Sequence, residues 1–265
     1  FQNNKLYKVA TPETQYCFRP NLFMWPNRTL LFGPLQHLSL HSMGSIAINV
    51  GLYRPFTIKA PNGSHTAYRS AIIPAGCKHE LNAYGNIMAC LIIEKNSADF
   101  FNFKQKFPFY ESSITEVTDP KWIECFQTIY QEKPSKIEIN QILNQLLDTE
   151  KEQDKNIDPR IASIMQVIQD TPENSLSQEY LASLVGLSAS RFRHLFRQQS
   201  DIPYRRYRIW RRIVSAMTTL NKVDNLTYAA MEAGFTDSAH FNRCFRDTFG
   251  VNPSLVFNNI DRFEV

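Results

Sequence analysis

Nine side chains on two short stretches have the types and spacing to read nucleic acid. Ser190, Arg193, His194 and Arg197 recur at i, i+3, i+4 and i+7, so a helix there presents them on one face. Ser238, Ala239, Asn242, Arg243 and Arg246 fall together in the same way on a second stretch. Arginine can bridge guanine O6 and N7. Asparagine, serine and histidine can bond base edges or phosphates, and an alanine methyl can meet a thymine methyl. A stripe of this mixture suits a major groove.

The elements that must hold these residues repeat. SQEYLASLVGLSASRFRHLFR, from Ser177, and NLTYAAMEAGFTDSAHFNRCFR, from Asn225, each begin on a residue that caps helices well. Each then places a small residue five positions on (Ala182, Ala230) and a glycine nine positions on (Gly186, Gly234). Each ends in a helix studded with phenylalanine, and the second copy holds one extra residue after its glycine. A short helix, a glycine turn and a second helix make a helix-turn-helix, here predicted over 177–198 and 225–248. Phe192, Leu195 and Phe196, and in the second copy Phe241, Cys244 and Phe245, are the expected core faces. A longer helix joins the copies, with Trp210, Ile213, Met217 and Leu220 as its buried stripe. Asp158-Pro159 opens a further helix, with Ile161, Ile164, Met165 and Ile168 turned inward.

The formal charge of the 265 residues is only +4, but its distribution is uneven. Between Ser188 and Lys222 stand Arg191, Arg193, Arg197, Arg205, Arg206, Arg208, Arg211, Arg212 and Lys222, opposed by Asp201 alone. Such a run attracts polyanions even when the whole chain is near neutral. Most of the electrostatic affinity is therefore expected from the first copy and the connecting helix.

The first ~105 residues read as β-rich. Thr29–Phe32, Ser45–Val50, Phe56–Ala60, Ser70–Ile73 and Ile87–Ile93 are apolar runs between turn signals such as Pro61-Asn62-Gly63 and Pro74-Ala75-Gly76. Strands so spaced predict a barrel or sandwich, able to enclose a small ligand. His37, His41, His65 and His79 lie here without the clustered spacing of a metal site, so no metal is assigned. His41 and His79 are the candidate ligand contacts. FFNFKQKFPF, from Phe100 to Phe109, reads as an aromatic connection packed on the barrel. Two amphipathic helices follow, one from Asp119-Pro120 with Trp122, Phe126 and Ile129, the other after Pro134 with Ile139, Leu143 and Leu147. Their apolar stripes face either their own barrel or a second subunit. DTEKEQDKNI, from Asp148 to Ile157, reads as a linker.

Five cysteines without C-x-x-C spacing argue against a disulfide framework or a structural zinc, and fit a reducing cytoplasm. No run of about 18 apolar residues is present, and FQNNKLYKVATPE lacks the basic start and apolar core of a signal peptide. A cytoplasmic protein that binds no membrane is the expectation.

Residues 158 to about 257 resemble the DNA-binding domain of AraC/XylS-type bacterial transcription regulators. DPRIASIMQVIQDTPENSLSQEYLASLVGLSASRFRHLF, RRIVSAMTTL and AAMEAGFTDSAHFNRCFRDTFGVNP carry the resemblance. It implies seven helices, with one rigid helix holding two helix-turn-helix units whose second helices enter successive major-groove segments. Asp201 departs from the family by standing where glycine is usual, Ala229 replaces a larger aliphatic, and Phe257 stands where arginine is common. PAGCKHEL and the strands before it resemble the family's cupin-like sensor domain, which places His79 near a barrel mouth. The two helices after the barrel then correspond to dimerisation helices.

The expected fold is thus α+β in two domains. A cupin-like β-barrel (1–110) is followed by a helical dimerisation or packing segment (111–147), a linker (148–157) and an all-α domain with two helix-turn-helix motifs (158–257). The expected function is sequence-specific transcription regulation, with activation favoured over repression. The implied partners are double-stranded promoter DNA, a small-molecule effector, RNA polymerase and a second copy in a homodimer. No catalytic residue and no cofactor is implied. The alternatives are a regulator without a ligand, whose barrel only dimerises, and a metal-dependent cupin enzyme targeted to DNA.

Overall fold

Short alternating apolar stretches cut by glycine, proline and asparagine cannot sustain a helix, and the N-terminal half folds accordingly into strands. A computed structural model describes residues 20–33, 37–95, 97–107, 113–148, 157–257 and 260–265. Its contacts divide the chain into two units, one of residues 1–153 with 245–265 and one of residues 154–244.

The first unit holds β1 (Asn21–Trp25), β2 (Arg28–Gly33), β3 (His37–His41), β4 (Ile46–Gly51), β5 (Phe56–Lys59), β6 (His65–Tyr68), β7 (Ser70–Ile73), β8 (His79–Asn82), β9 (Met88–Ile93) and β10 (Thr115–Glu116). With them are α1 (Ala98–Lys106), α2 (Lys121–Glu132) and α3 (Lys136–Leu147). The strands form two sheets, ordered β10-β7-β4-β9-β2-β1 and β3-β8-β5-β6. The cupin-like β unit is therefore built as two sheets and not as one closed hydrogen-bonded ring. The five apolar runs picked out above form β2, β4, β5, β7 and β9. A short strand, β11 (Arg262–Glu264), joins the outer edge of the larger sheet and runs parallel to β1, with Asn21 opposite Arg262.

β4 and β9 are buried along their whole length at the centre of the larger sheet. Their core continues into Phe103, Trp122, Phe126 and Leu143, and Phe32 of β2 meets Phe126 edge-on at 6.3 Å. The stripes of α2 and α3 thus lie in this unit's own core. FFNFKQK is a helix rather than a connection, started by Ser97, whose side chain accepts from the Phe100 amide. Phe109 and most of the expected linker, 149–156, lie outside the described residues. α3 opens with a reciprocal capping box between Ser135 and Glu138.

The second unit is helical: α4 (Pro159–Asp170), α5 (Gln178–Leu184), α6 (Ala189–Ser200), α7 (Tyr204–Val223), α8 (Leu226–Glu232) and the start of α9 (Ser238–Phe249). Asp158 caps α4 and Pro159 occupies its first turn; Ile161, Ile164, Met165 and Ile168 are buried, as their spacing predicts. Asp201 ends α6 with φ 61°, the left-handed region in which glycine is unstrained. Its carboxylate also opposes the negative end of the helix dipole. Asp201→Gly is therefore expected to raise stability by about 0.5–1 kcal/mol, measured as a higher urea midpoint at unchanged slope. α10 (Pro253–Phe257) follows α9 in the chain. Phe257 packs on the rings of Phe245 and Phe263, which accounts for an aromatic residue there in place of an arginine.

Candidate nucleic-acid interface

Both helix-turn-helix motifs form, and their turns share one backbone solution. Ser177 Oγ accepts from the Tyr180 amide at 3.1 Å, and Asn225 Oδ1 from the Tyr228 amide at 2.9 Å. At the other end of α5, Gly186 N–H donates to Ser183 O and Leu187 N–H to Ala182 O. At the end of α8, Gly234 N–H donates to Met231 O and Phe235 N–H to Ala230 O. These are paired Schellman closures, and both glycines sit at positive φ, 66° and 85°.

The Ser188 side chain caps α6 by accepting from the Arg191 amide at 3.2 Å. Phe192, Leu195 and Phe196 are buried, and the two phenylalanine rings lie 6.0 and 5.8 Å from Tyr204. On the opposite face Ser190, Arg193, His194 and Arg197 are all exposed.

α9 starts differently. Asp237 Oδ1 accepts from the His240 amide at 2.7 Å, and Thr236 Oγ1 lies 3.1 Å from both Asp237 Oδ2 and His240 Nδ1. The His240 amide and then the Thr236 hydroxyl hold the Asp237 carboxyl below the usual carboxylate range. Aligned cap to cap, Ala239, Asn242, Arg243 and Arg246 stand opposite Ser190, Arg193, His194 and Arg197. Ser238 stands opposite Ala189, and Thr236 is the extra residue. Ser238, Ala239, Asn242 and Arg243 are exposed; Arg246 is half-buried. Asp237 and Thr236 went unremarked in the sequence, although an aspartate just before an apolar periodic stretch signals a helix start. They give the second motif an anionic lip where the first has a neutral serine.

The basic run divides. Arg191, Arg193, Arg197, Arg205 and Lys222 are exposed, whereas Arg211 and Arg212 are buried, at 8% and 6% exposure. Arg208 is half-buried, with its guanidinium 5.7 Å over the Tyr204 ring. A charge total therefore overstates the field the connecting helix presents to solvent. Burial, then repulsion from Arg208, lowers the Arg212 pKa, while Tyr204, Glu173 and Cys244 oppose the shift. A guanidinium remains charged at neutral pH.

In the first unit His41 and His79 come together, their ring centroids 4.2 Å apart. Both are buried, and each Nδ1 lies within hydrogen-bond distance of a backbone carbonyl, Ser39 O at 2.8 Å and Cys77 O at 3.0 Å. Burial lowers the pKa of His79. His37 instead lies 3.5 Å from Glu80, and His65 is on the exposed strand β6. Cys77, Cys90, Cys125 and Cys244 are thiols. Among the described residues no helix is long and apolar enough to cross a membrane.

A helix-turn-helix domain family matches residues 181–259, which take in most of the first motif and all of the second. The chain carries a helix-turn-helix domain of that family. Over 106 residues the chain is 31% identical to the transcriptional activator RhaS of Escherichia fergusonii, covering 40% of this chain and 38% of RhaS. It is 25% identical over 96 residues to the transcriptional regulator GbdR of Pseudomonas aeruginosa, covering 36% of this chain and 26% of GbdR. The chain thus matches well under half the length of these relatives. Structural likeness extends further. ToxT from Vibrio cholerae aligns over 89% of this chain and 95% of its own at a TM-score of 0.57, with 9% identity. ToxT bound to an unsaturated fatty acid aligns over 92% and 97% at 0.53, with 10% identity. The chain shares the ToxT fold.

Proposed function

We propose that this protein is a sequence-specific, DNA-binding transcription regulator and not an enzyme. One observation carries the proposal: two like-built motifs each turn a second helix outward with a different set of base-reading side chains. Ser190, Arg193 and His194 read one block of sequence, and Ser238, Ala239, Asn242 and Arg243 read another, with Arg197 and Arg246 placed for phosphates. The target is double-stranded promoter DNA with an asymmetric site. The first motif discriminates more, because Ala239 offers only a methyl where Ser190 offers a hydroxyl.

Within the proposal, the N-terminal unit binds a small organic effector and pairs two copies, and the regulator activates by contact with RNA polymerase in the cytoplasm. The activator RhaS supports activation, and the fatty-acid complex of ToxT supports a small organic effector. His41 and His79 are assigned to the effector. A thermal-shift titration of the full chain with an unsaturated fatty acid tests it: a saturable rise is expected, and a flat response excludes that ligand class.

DNA reading is tested by incubating the full chain with pooled genomic fragments at fixed salt and sequencing what is retained. Enrichment of promoter fragments over competitor DNA is expected; equal retention of all fragments sinks the proposal. Against an enriched fragment, Arg193→Ala is expected to lose about 1–3 kcal/mol of affinity, confined to one base step. A loss spread evenly over all sequences would make Arg193 a phosphate contact.

A further inference from the structure

Arg212 lies inside the second unit, where it makes three directed bonds. Nε donates to Pro172 O at 2.9 Å, and Nη2 donates to Glu173 O at 3.0 Å and Ser175 Oγ at 2.9 Å. All three acceptors belong to the segment that leads from α4 into α5, the first helix of the first motif. Tyr204, at the start of α7, holds the same segment again by donating its hydroxyl to Leu176 O at 2.6 Å. The second motif touches this segment as well. A Cβ on Gly234 would stand 2.5 Å from Glu173 O and 2.7 Å from Glu173 Cα. The turn of the second motif is thus seated on the residue whose carbonyl Arg212 grips. Gly186, the equivalent glycine of the first motif, has nothing within 4 Å of its added Cβ.

Burying a guanidinium costs free energy that an apolar side chain of similar volume avoids. What the arginine adds is direction, since its planar fork meets three acceptors in one orientation only. We propose that Arg212 is a positioning residue for DNA reading: it ties the start of the first motif to the connecting helix at the point where the second motif's turn rests, and so fixes the separation and rotation of α6 and α9. Arg212 touches no base or phosphate. It acts through residues 172–175, and it sets how many base pairs separate the two blocks of sequence. The inference rests on the DNA-reading function proposed above.

The test uses the full chain and a duplex pool with a randomised centre, sequenced after rounds of selection. Wild type is expected to enrich two blocks at one fixed separation. Arg212→Met is expected to keep both blocks but spread their separation over neighbouring registers. It is also expected to lose tenfold or more on a duplex carrying both blocks, and less than twofold on one carrying only the first. Arg212→Lys, whose ammonium cannot span all three acceptors, falls between. Circular dichroism identifies a variant that has not folded. Ser175→Ala then carries the test, because Ser175 is exposed and supplies one of the three acceptors; a smaller spread of registers is expected. A single unchanged separation in the folded variants overturns the proposal, as does an equal loss on both duplexes. A wild type that enriches no sequence removes the DNA-reading function itself, which separates the two failures.

Discussion

Gly234→Ala is expected to destabilise the protein by about 2–4 kcal/mol, against about 1 kcal/mol for Gly186→Ala. Both glycines hold the left-handed backbone that closes a helix, and a Cβ there costs about 1 kcal/mol. Only Gly234 faces an obstacle, the backbone of Glu173. Backbone cannot rotate away as a long side chain can, so the turn and the segment must separate. Overpacking of that kind adds about 1–3 kcal/mol. Urea unfolding of the two full-length variants, followed by helical circular dichroism, gives the comparison. Equal losses would mean that the 172–175 segment yields freely, which would also weaken the clamp assigned to Arg212.

The second large effect lies in the N-terminal unit. Arg28 of β2 is buried and places Nε 3.4 Å from Asp99 of α1, also buried. Its Nη2 donates to Asn140 Oδ1 at 3.0 Å and to Asn144 Oδ1, both on α3. One guanidinium thus ties the larger sheet to two helices. Asp99→Ala leaves that charge buried without its counter-ion and is expected to cost about 3–5 kcal/mol. Replacing both partners, as in Arg28→Met with Asp99→Ala, is expected to cost clearly less than the sum of the two single losses. Additive losses from thermal unfolding of the three variants would argue against a coupled pair.

The pH dependence of this pair has a definite sign. Burial raises the Asp99 pKa, and Arg28 offsets only part of the shift. A carboxyl whose folded pKa is raised gives stability that is complete below the unfolded value and is lost as pH rises through the folded one. Asp99 therefore opposes the usual carboxylate trend. Against wild type, Asp99→Asn should show a smaller loss of stability as pH rises out of the ordinary carboxylate range.

The second unit was the more legible half, for physical reasons. Its helices are short and amphipathic, its caps are Ser177, Asn225 and Asp158, and its turns need Gly186 and Gly234. Each of these is a local requirement written in neighbouring residues. Asp201 is legible for the same reason, since few residues besides glycine tolerate its backbone. In the N-terminal unit α2 and α3 were legible from their apolar stripes, and five strands from short apolar runs between turn residues. β3 (HLSLH), β6 (HTAY) and β8 (HELN) are short and half polar, because the smaller sheet leaves much of itself to solvent, and short mixed runs carry little periodic signal. α1 was missed because Phe100, Phe101 and Phe103 crowd its sequence, and aromatic density masks a nine-residue helix. In the candidate interface the outward stripes could be read directly. The fate of Arg211 and Arg212 could not, because a formal charge is the same whether its side chain meets solvent or three acceptors inside the unit. The meeting of His41 and His79 depends on β3 pairing with β8 across the smaller sheet, and no local pattern encodes that partnership.

The parallel pairing of β11 with β1 bears on how the protein is made. Asn21 leaves the ribosome well before Arg262, its partner. Until then the outer edge of the larger sheet, with Leu22 and Phe23, offers unpaired amides and carbonyls to any other strand nearby. Late strand addition of this kind is slow and exposes the nascent chain to aggregation. β1 is thus the edge to protect during synthesis. Expression that stalls before residue 262 should yield insoluble protein even where both helix-turn-helix motifs are already complete.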